Sequence, residues 1–239
     1  MAIDELFLPL RRIEPVLPEE QALAWPYVLP PVRQLLHEGL ELGEASVIVG
    51  ENGSGKSTLV EAIAMAYGMN PEGGSTGAMN TSRRSESGLH AQLKLHRGAA
   101  ASRKGFFLRA ETMHNFYTYL EASKFETMLH ERSHGESFLD LIAERIPHIK
   151  GLWIFDEPES ALSLGGCVRL LRLMKQLREL GSQIILSTHS PVLAVLPGAN
   201  IWEVGDWGMR QTPYDQLELV RDWRACMADP RQFIDDYPG

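Results

Sequence analysis

Nine residues, Gly50-Glu51-Asn52-Gly53-Ser54-Gly55-Lys56-Ser57-Thr58, fit the phosphate-binding pattern G-x-x-x-x-G-K-[ST]. Such a loop turns successive backbone N–H groups toward an anion, and the helix that follows adds the positive end of its dipole. In this pattern Lys56 meets the β- and γ-phosphates, and the Ser57 hydroxyl ligates Mg²⁺. The expected ligands are therefore a nucleotide and Mg²⁺. A second group of chemically able residues lies in Leu152-Trp153-Ile154-Phe155-Asp156-Glu157, four apolar residues ending in two acids. One carboxylate can hold Mg²⁺ while the other orients an attacking water. A third group is Ile185-Leu186-Ser187-Thr188-His189-Ser190-Pro191, with a histidine at its tip that can reach a γ-phosphate or that water.

The elements that must position these groups are legible around them. Ala45–Val49 is a short β-branched apolar run and reads as a buried strand. Residues 59–67 (LVEAIAMAY) are rich in helix formers and are closed by Gly68. Residues 152–155 and 184–186 read as further buried strands. Residues 166–180 have helical apolar spacing (Val168, Leu171, Met174, Leu177), with Gly181 at the C-terminal cap. Strands alternating with helices imply an α/β fold with a mainly parallel sheet and helices on both faces. Strand C-termini line the crevice of such a sheet, so Asp156, Glu157 and His189 are expected beside the glycine loop.

The rest of the chain is less explicit. Residues 1–44 hold six of the fourteen prolines and read as strand and loop leading to a helix near 32–42. Residues 71–89 are Gly/Ser/Thr-rich without periodicity and are expected to be a mobile loop. Strands are expected at 91–96 and 105–110, helices at 112–132 and 137–145, and a hairpin of 201–204 with 209–212. Positive charges dominate residues 83–109, which read as a solvated face more readily than as a polyanion site.

At 239 residues, 44% apolar and 23% charged, the chain suits one globular domain over 1–239. A net charge of −8 argues against a nucleic-acid binder over its whole surface. No apolar run approaches the roughly 20 residues of a membrane helix. The opening residues carry no secretory h-region, and two cysteines without metal or disulfide spacing fit a reduced compartment. A cytoplasmic location is the expectation.

Together these motifs resemble the ATP-binding-cassette (ABC) class of P-loop ATPases. They are most similar to the small stand-alone members labelled AAA-type ATPases, relatives of chromosome-maintenance and DNA-repair ATPases. The resemblance runs from about Trp25 to the C-terminus. It implies that residues 50–58 are the Walker A loop, 152–157 the Walker B strand, Glu157 the catalytic carboxylate and Asp156 a Mg²⁺ ligand. It further makes residues 156–163 (DEPESALS) the D-loop and His189, 33 residues after Asp156, the switch histidine. Residues 132–137 (RSHGES) take the place of the class's L-S-G-G-Q signature, with Ser133 and Gly135 at the two positions that contact a γ-phosphate. Arg132, His134 and Glu136 depart from that pattern.

The same resemblance places a small helical subdomain at about 112–147. It also implies a head-to-tail homodimer that sandwiches two ATPs, with an unknown protein or nucleic-acid partner. Glu111, or alternatively Gln92, takes the place of the class's Mg²⁺-sensing Gln. Trp25 or Tyr27 would stack on adenine, and Ser163 stands where many D-loops carry Asp. A coiled-coil arm is excluded, because 77 positions separate Lys56 from Ser133 and hold no heptads. Three functions remain: a soluble ATPase that hydrolyses ATP and dimerises on it, the ATP-binding subunit of a membrane transporter, or a weakly hydrolysing switch. The degenerate signature and the missing Gln favour the first over the second. The intact Glu157 disfavours the third.

Overall fold

The structure, a computed structural model, describes residues 5–16, 24–76, 87–109, 139–140, 142–143 and 149–237. The expected signature Arg132–Ser137, Glu111 and most of the 112–147 subdomain lie outside these residues. So does the helix expected at 112–132. Of the one expected at 137–145, Leu139–Asp140 and Ile142–Ala143 are helical, and Leu139 and Ile142 are buried.

The main sheet has seven strands. In chain order they are β3 (Ala45–Val49), β4 (Gly74–Ser75), β6 (Gly105–Arg109), β7 (Leu152–Asp156), β8 (Gln183–Thr188), β9 (Asn200–Gly205) and β10 (Gly208–Gln211). Their spatial order is β10-β9-β3-β8-β7-β6-β4. The pairs β9–β3, β3–β8, β8–β7 and β7–β6 are parallel, while β10 and β4 add antiparallel edges. A second, antiparallel sheet of order β2-β1-β5 is formed by β1 (Arg12–Pro15), β2 (Leu40–Glu41) and β5 (Leu93–His96).

Alternation along the central strands feeds two cores. Val47, Val49, Trp153, Phe155, Ile184 and Leu186 point into one, which is covered by α3 (Leu164–Glu179), α4 (Pro191–Ala194) and the start of α5 (Glu218–Ala228). Ile48, Leu152, Ile154 and Ile185 point into the other, beneath α1 (Pro30–Glu38) and α2 (Lys56–Tyr67). Strands with apolar residues on both faces are what a sheet sandwiched between helices requires. The mainly parallel α/β sheet expected from the sequence is the fold observed.

Several boundaries moved. The helix foreseen near 32–42 stops at Glu38, where Gly39 turns with φ 72° into β2. The strand foreseen at 91–96 begins at Leu93, after a 3-10 turn over Gly88–Gln92. The expected loop at 71–89 contains β4, two residues paired to Phe106 and Phe107, too short to leave any periodicity. Beyond Gly205 the chain remains ordered. It contains β10, α5 and α6 (Pro230–Asp236), the last capped by Asp229 Oδ1 accepting from Gln232 N–H at 3.1 Å.

One buried side chain clips the two sheets together. Gln183, at the start of β8, is fully buried and exchanges hydrogen bonds with Leu10, accepting from its N–H at 2.8 Å and donating to its carbonyl at 2.6 Å. Its amide also donates to the Gly43 carbonyl at 2.8 Å. Cys167 is buried on α3, and burial raises its thiol pKa, which suits a small inert core residue.

Candidate nucleotide site

Because β3, β6, β7 and β8 are parallel, their C-terminal ends share one edge of the sheet, and the predicted residues arrive there from separate parts of the chain. Register fixes the neighbours: Val49 pairs with Thr188, Ser187 with Asp156, and Asp156 with Arg109. Gly50 and His189 are therefore the next residues beyond a paired couple.

Between β3 and α2 the loop folds tightly. Gly55 has φ 98°, a left-handed conformation that disfavours side chains, and it sits against Leu29 and Pro31. A Cβ at Gly50 would come within 2.5 Å of the Val204 carbonyl, so only glycine fits between the loop and β9. Glu51, Asn52 and Gly53 are exposed at the loop's crest, and nothing lies within 4 Å of a Cβ built on Gly53. No side chain caps the N-terminus of α2, so its first N–H groups are left for a ligand. Ser54 Oγ is buried and has no hydrogen-bond partner among the described residues. Ser57 and Thr58 are half-buried in the first turn of the helix.

Lys56 is 2% exposed, its Nζ donating to the Glu51 carbonyl at 2.7 Å and lying 3.2 Å from Glu157 Oε1. A lysine folded back over its own loop toward a carboxylate holds its charge where phosphates would sit. Asp156 is 3% exposed and accepts from the Ser187 hydroxyl at 2.5 Å. Burial raises its pKa above the ordinary carboxylate value, opposed by the Ser187 bond, the Arg109 charge and a bond from Ser57. The Ser57 hydroxyl thus lies near the Asp156 carboxylate. A hydroxyl and a carboxylate are hard oxygen donors of the kind Mg²⁺ takes alongside phosphate and water. Among the described residues there is no cluster of three or more His, Cys, Asp and Glu able to hold an ion. A Mg²⁺ bound through nucleotide needs none, and the site fits Mg-ATP.

Glu157 follows with φ 46° and ψ 50°, the one non-glycine residue with positive φ among those described. Its N–H donates to the Ser187 carbonyl at 3.1 Å. A left-handed glutamate costs on the order of 1 kcal/mol and persists where surrounding structure imposes it. The turn swings its carboxylate out of the sheet, between Lys56 on one side and His189 Nδ1, 3.7 Å from Oε2, on the other.

Other expected residues fall elsewhere. Gln92 closes the turn before β5 in the small sheet, away from the shared edge. Trp25 is 57% exposed, whereas Tyr27 packs on the core beneath α1 and α2. Ser163 caps α3, its Oγ accepting from Gly166 N–H at 3.2 Å.

Three residues were missed by sequence reasoning. Arg109, read as part of a solvated basic run, ends β6 with Nη1 2.6 Å from Glu61 Oε2 and Nε 3.5 Å from Asp156 Oδ2. Its place at a strand C-terminus, like that of Asp156, was the available signal. Glu61 lies on α2, one turn beyond Ser57. Glu159, two residues after Glu157, accepts hydrogen bonds from the tip of β8. Arg97 from the same basic run is also engaged, lying 4.2 Å over the Tyr67 ring.

Comparison with known proteins finds AAA-domain family models and ATP-binding proteins of transporters. A family model described as "AAA domain" matches residues 39–126, which carry the glycine loop. Another, described as "AAA domain, putative AbiEii toxin, Type IV TA system", matches residues 137–195, which carry Asp156, Glu157 and His189. An uncharacterized ABC transporter ATP-binding protein of Haemophilus influenzae is 43% identical over 72 residues, 30% of this chain and 27% of that protein. The galactofuranose transporter ATP-binding protein YtfR of Escherichia coli is 28% identical over 233 residues, 83% of this chain and 46% of that protein. The chain thus spans less than half the length of these relatives. A solved structure described as "An inward-facing conformation of a putative metal-chelate type ABC transporter" shares the fold with a TM-score of 0.51 at 17% identity, covering 92% of this chain and 88% of that one.

Proposed function

We propose that this chain, an ABC-class P-loop ATPase by its fold, its family matches and its relatives, binds Mg-ATP at the shared strand edge and hydrolyses it to ADP and phosphate. The observation that carries the reading is the convergence of Lys56, Glu157 and His189 from three strand ends, with Glu157 lying within 3.2 Å of Lys56 Nζ and 3.7 Å of His189 Nδ1.

In this reading the backbone N–H groups of residues 50–58 and the start of α2 hold the phosphates, and Lys56 neutralises the outermost ones. Ser57 and Asp156 would hold Mg²⁺, which when bound draws charge from the β- and γ-phosphate oxygens. Glu157 orients the attacking water and accepts its proton, its turn aiming the carboxylate out of the sheet. His189 contacts the γ-phosphate or that water from β8. The test is release of inorganic phosphate from ATP by the purified full chain, with and without Mg²⁺. Release above background only with Mg²⁺ supports the reading, and none under any condition overturns it.

The reading extends to assembly. Ser133 and Gly135 would close on the nucleotide of a second copy, giving an ATP-sandwiched homodimer in the cytoplasm that acts on a protein or nucleic-acid partner. Supporting this are the resemblance of residues 132–137 to a signature loop and their distance ahead of Asp156. A specific observation favours a second reading: the relatives are named as ATP-binding proteins of transporters. No described helix is long and apolar enough to cross a membrane, so on that reading a separate permease would supply the pathway. Affinity capture with a hydrolysis-blocked variant separates the two, through recovery of a multi-span membrane protein or of a soluble partner or DNA.

A further inference from the structure

Glu159 lies in the 3-10 turn Pro158–Ala161, and no step described so far uses it. Its side chain is 8% exposed. Oε1 accepts from the Thr188 hydroxyl at 2.6 Å and from the His189 main-chain N–H at 2.7 Å. The Thr188 hydroxyl in turn accepts from Ser190 N–H at 3.0 Å. One carboxylate therefore holds Thr188 and His189 through charge-assisted bonds of the strong kind, and Ser190 indirectly through the Thr188 hydroxyl.

The same carboxylate faces the imidazole. His189 Nδ1 lies 3.4 Å from Glu159 Oε1 and 3.7 Å from Glu157 Oε2. Nδ1 and Glu159 Oε2 are both buried, and neither has a hydrogen-bond partner among the described residues. A carboxylate can only accept, so a lone pair on Nδ1 would confront negative charge whereas an N–H is attracted to it. In a neutral ring the proton then belongs on Nδ1 and the lone pair on Nε2. The side chain is nevertheless 40% exposed, and with Nδ1 sealed that exposure belongs to the other ring atoms.

We propose that Glu159 is a positioning residue for His189: it fixes the β8 tip through Thr188 and the main chain, and it keeps the ring proton on Nδ1, so that Nε2 meets the attacking water as an acceptor. The functional half rests on the ATPase reading, whereas the half concerning the proton does not. It also chooses between the two contacts open to His189, since a neutral ring with Nδ1–H offers Nε2 to a water and has no donor there for phosphate.

The experiment uses the full chain labelled with ¹⁵N-histidine, the His189 ring signals being assigned by their loss in His189→Ala. At alkaline pH, long-range ¹H–¹⁵N correlation reports which ring nitrogen carries the proton. The wild type is expected to show Nδ1–H, and Glu159→Gln a shift toward Nε2–H, while glutamine still accepts from Thr188 and the main chain. In phosphate release, Glu159→Gln should lower kcat about tenfold with KM for ATP unchanged, the scale typical of a supporting shell. In a His189→Ala background the same change should have no further effect, because the residue acts through the ring.

An Nε2–H ring in the wild type overturns the proposal. So does an unchanged proton position in Glu159→Gln, or an equal loss of kcat in both backgrounds. A wild type that releases no phosphate refutes the ATPase reading, and the spectra then still decide between Glu159 and no role. Thr188→Val is a second variant: it removes one tie while leaving the carboxylate beside Nδ1, so the proton is expected to stay on Nδ1 as kcat falls.

Discussion

Lys56 Nζ and Glu157 Oε1 stand 3.2 Å apart, the lysine nearly sealed and the glutamate a quarter exposed. The pair joins the end of the glycine loop to the end of β7, so the group that would bind phosphate and the group that would receive a proton restrain each other. An ion pair at a ligand site holds its members ready, and a lysine that binds phosphate would have to exchange part of that contact for it.

Replacing Lys56 with Ala removes the buried cation and leaves Glu157 without it. ATP affinity should fall by about 100-fold or more, the range for losing a buried charged partner of about 3 kcal/mol. Isothermal titration with Mg-ATP measures this, and an affinity within threefold of wild type would contradict the assignment.

Glu157→Gln keeps the shape at 157 and removes the carboxylate proposed to accept the proton. ATP binding should persist while phosphate release drops about 100-fold or more. If two copies close on nucleotide, this variant should also elute as a dimer by size-exclusion chromatography with Mg-ATP and as a monomer without it. A single elution position under both conditions would sink the sandwich.

Asp156 gives a dependence on pH of unusual sign. Burial raises its pKa in the folded chain, so the folded state binds more protons than the unfolded one, and its penalty to stability grows as pH rises above the ordinary 3.8. In metal-free buffer Asp156→Asn should melt above the wild type at neutral pH, the difference closing as the pH is lowered toward 3.8. The same variant should lose Mg²⁺-dependent phosphate release. Thermal melts across pH, followed by circular dichroism, read the first half.

Gly50 and Gly53 separate packing from conformation within one loop. Gly50→Ala drives a methyl onto the Val204 carbonyl and should cost about 2–3 kcal/mol of stability. Gly53→Ala meets open space and pays only for φ 81°, about 1 kcal/mol. Urea titration of the two variants should rank them in that order.

The sheet and three of its strand tips were legible because their signals are local. Four apolar residues before Asp156 can hardly be anything but a buried strand, and a glycine loop between strand and helix announces both neighbours. What escaped depended on contacts distant in sequence. Arg109 looks like one charge among many until β6 is laid beside β7 and its guanidinium meets Asp156 and Glu61. Glu159 is only one letter of the DEPESALS run until β8 brings Thr188 and His189 within reach. The small sheet was half seen for the same reason: β1 and β5 are four-residue strands joined over eighty positions of chain, and no periodicity records such a pairing.

Strand β8 begins at Gln183 and ends at Thr188, all six residues buried, with a neighbour laddered along each side. A strand so held behaves as a tie-rod about 20 Å long, with no slack to take up. One of its ends is clipped by Gln183 to the segment leading into the small sheet, and the other carries His189. Anchored at its start and laddered on both sides, the rod holds its far tip to a fixed height above the sheet, so the imidazole is mounted on a part of the molecule that has little freedom to drift.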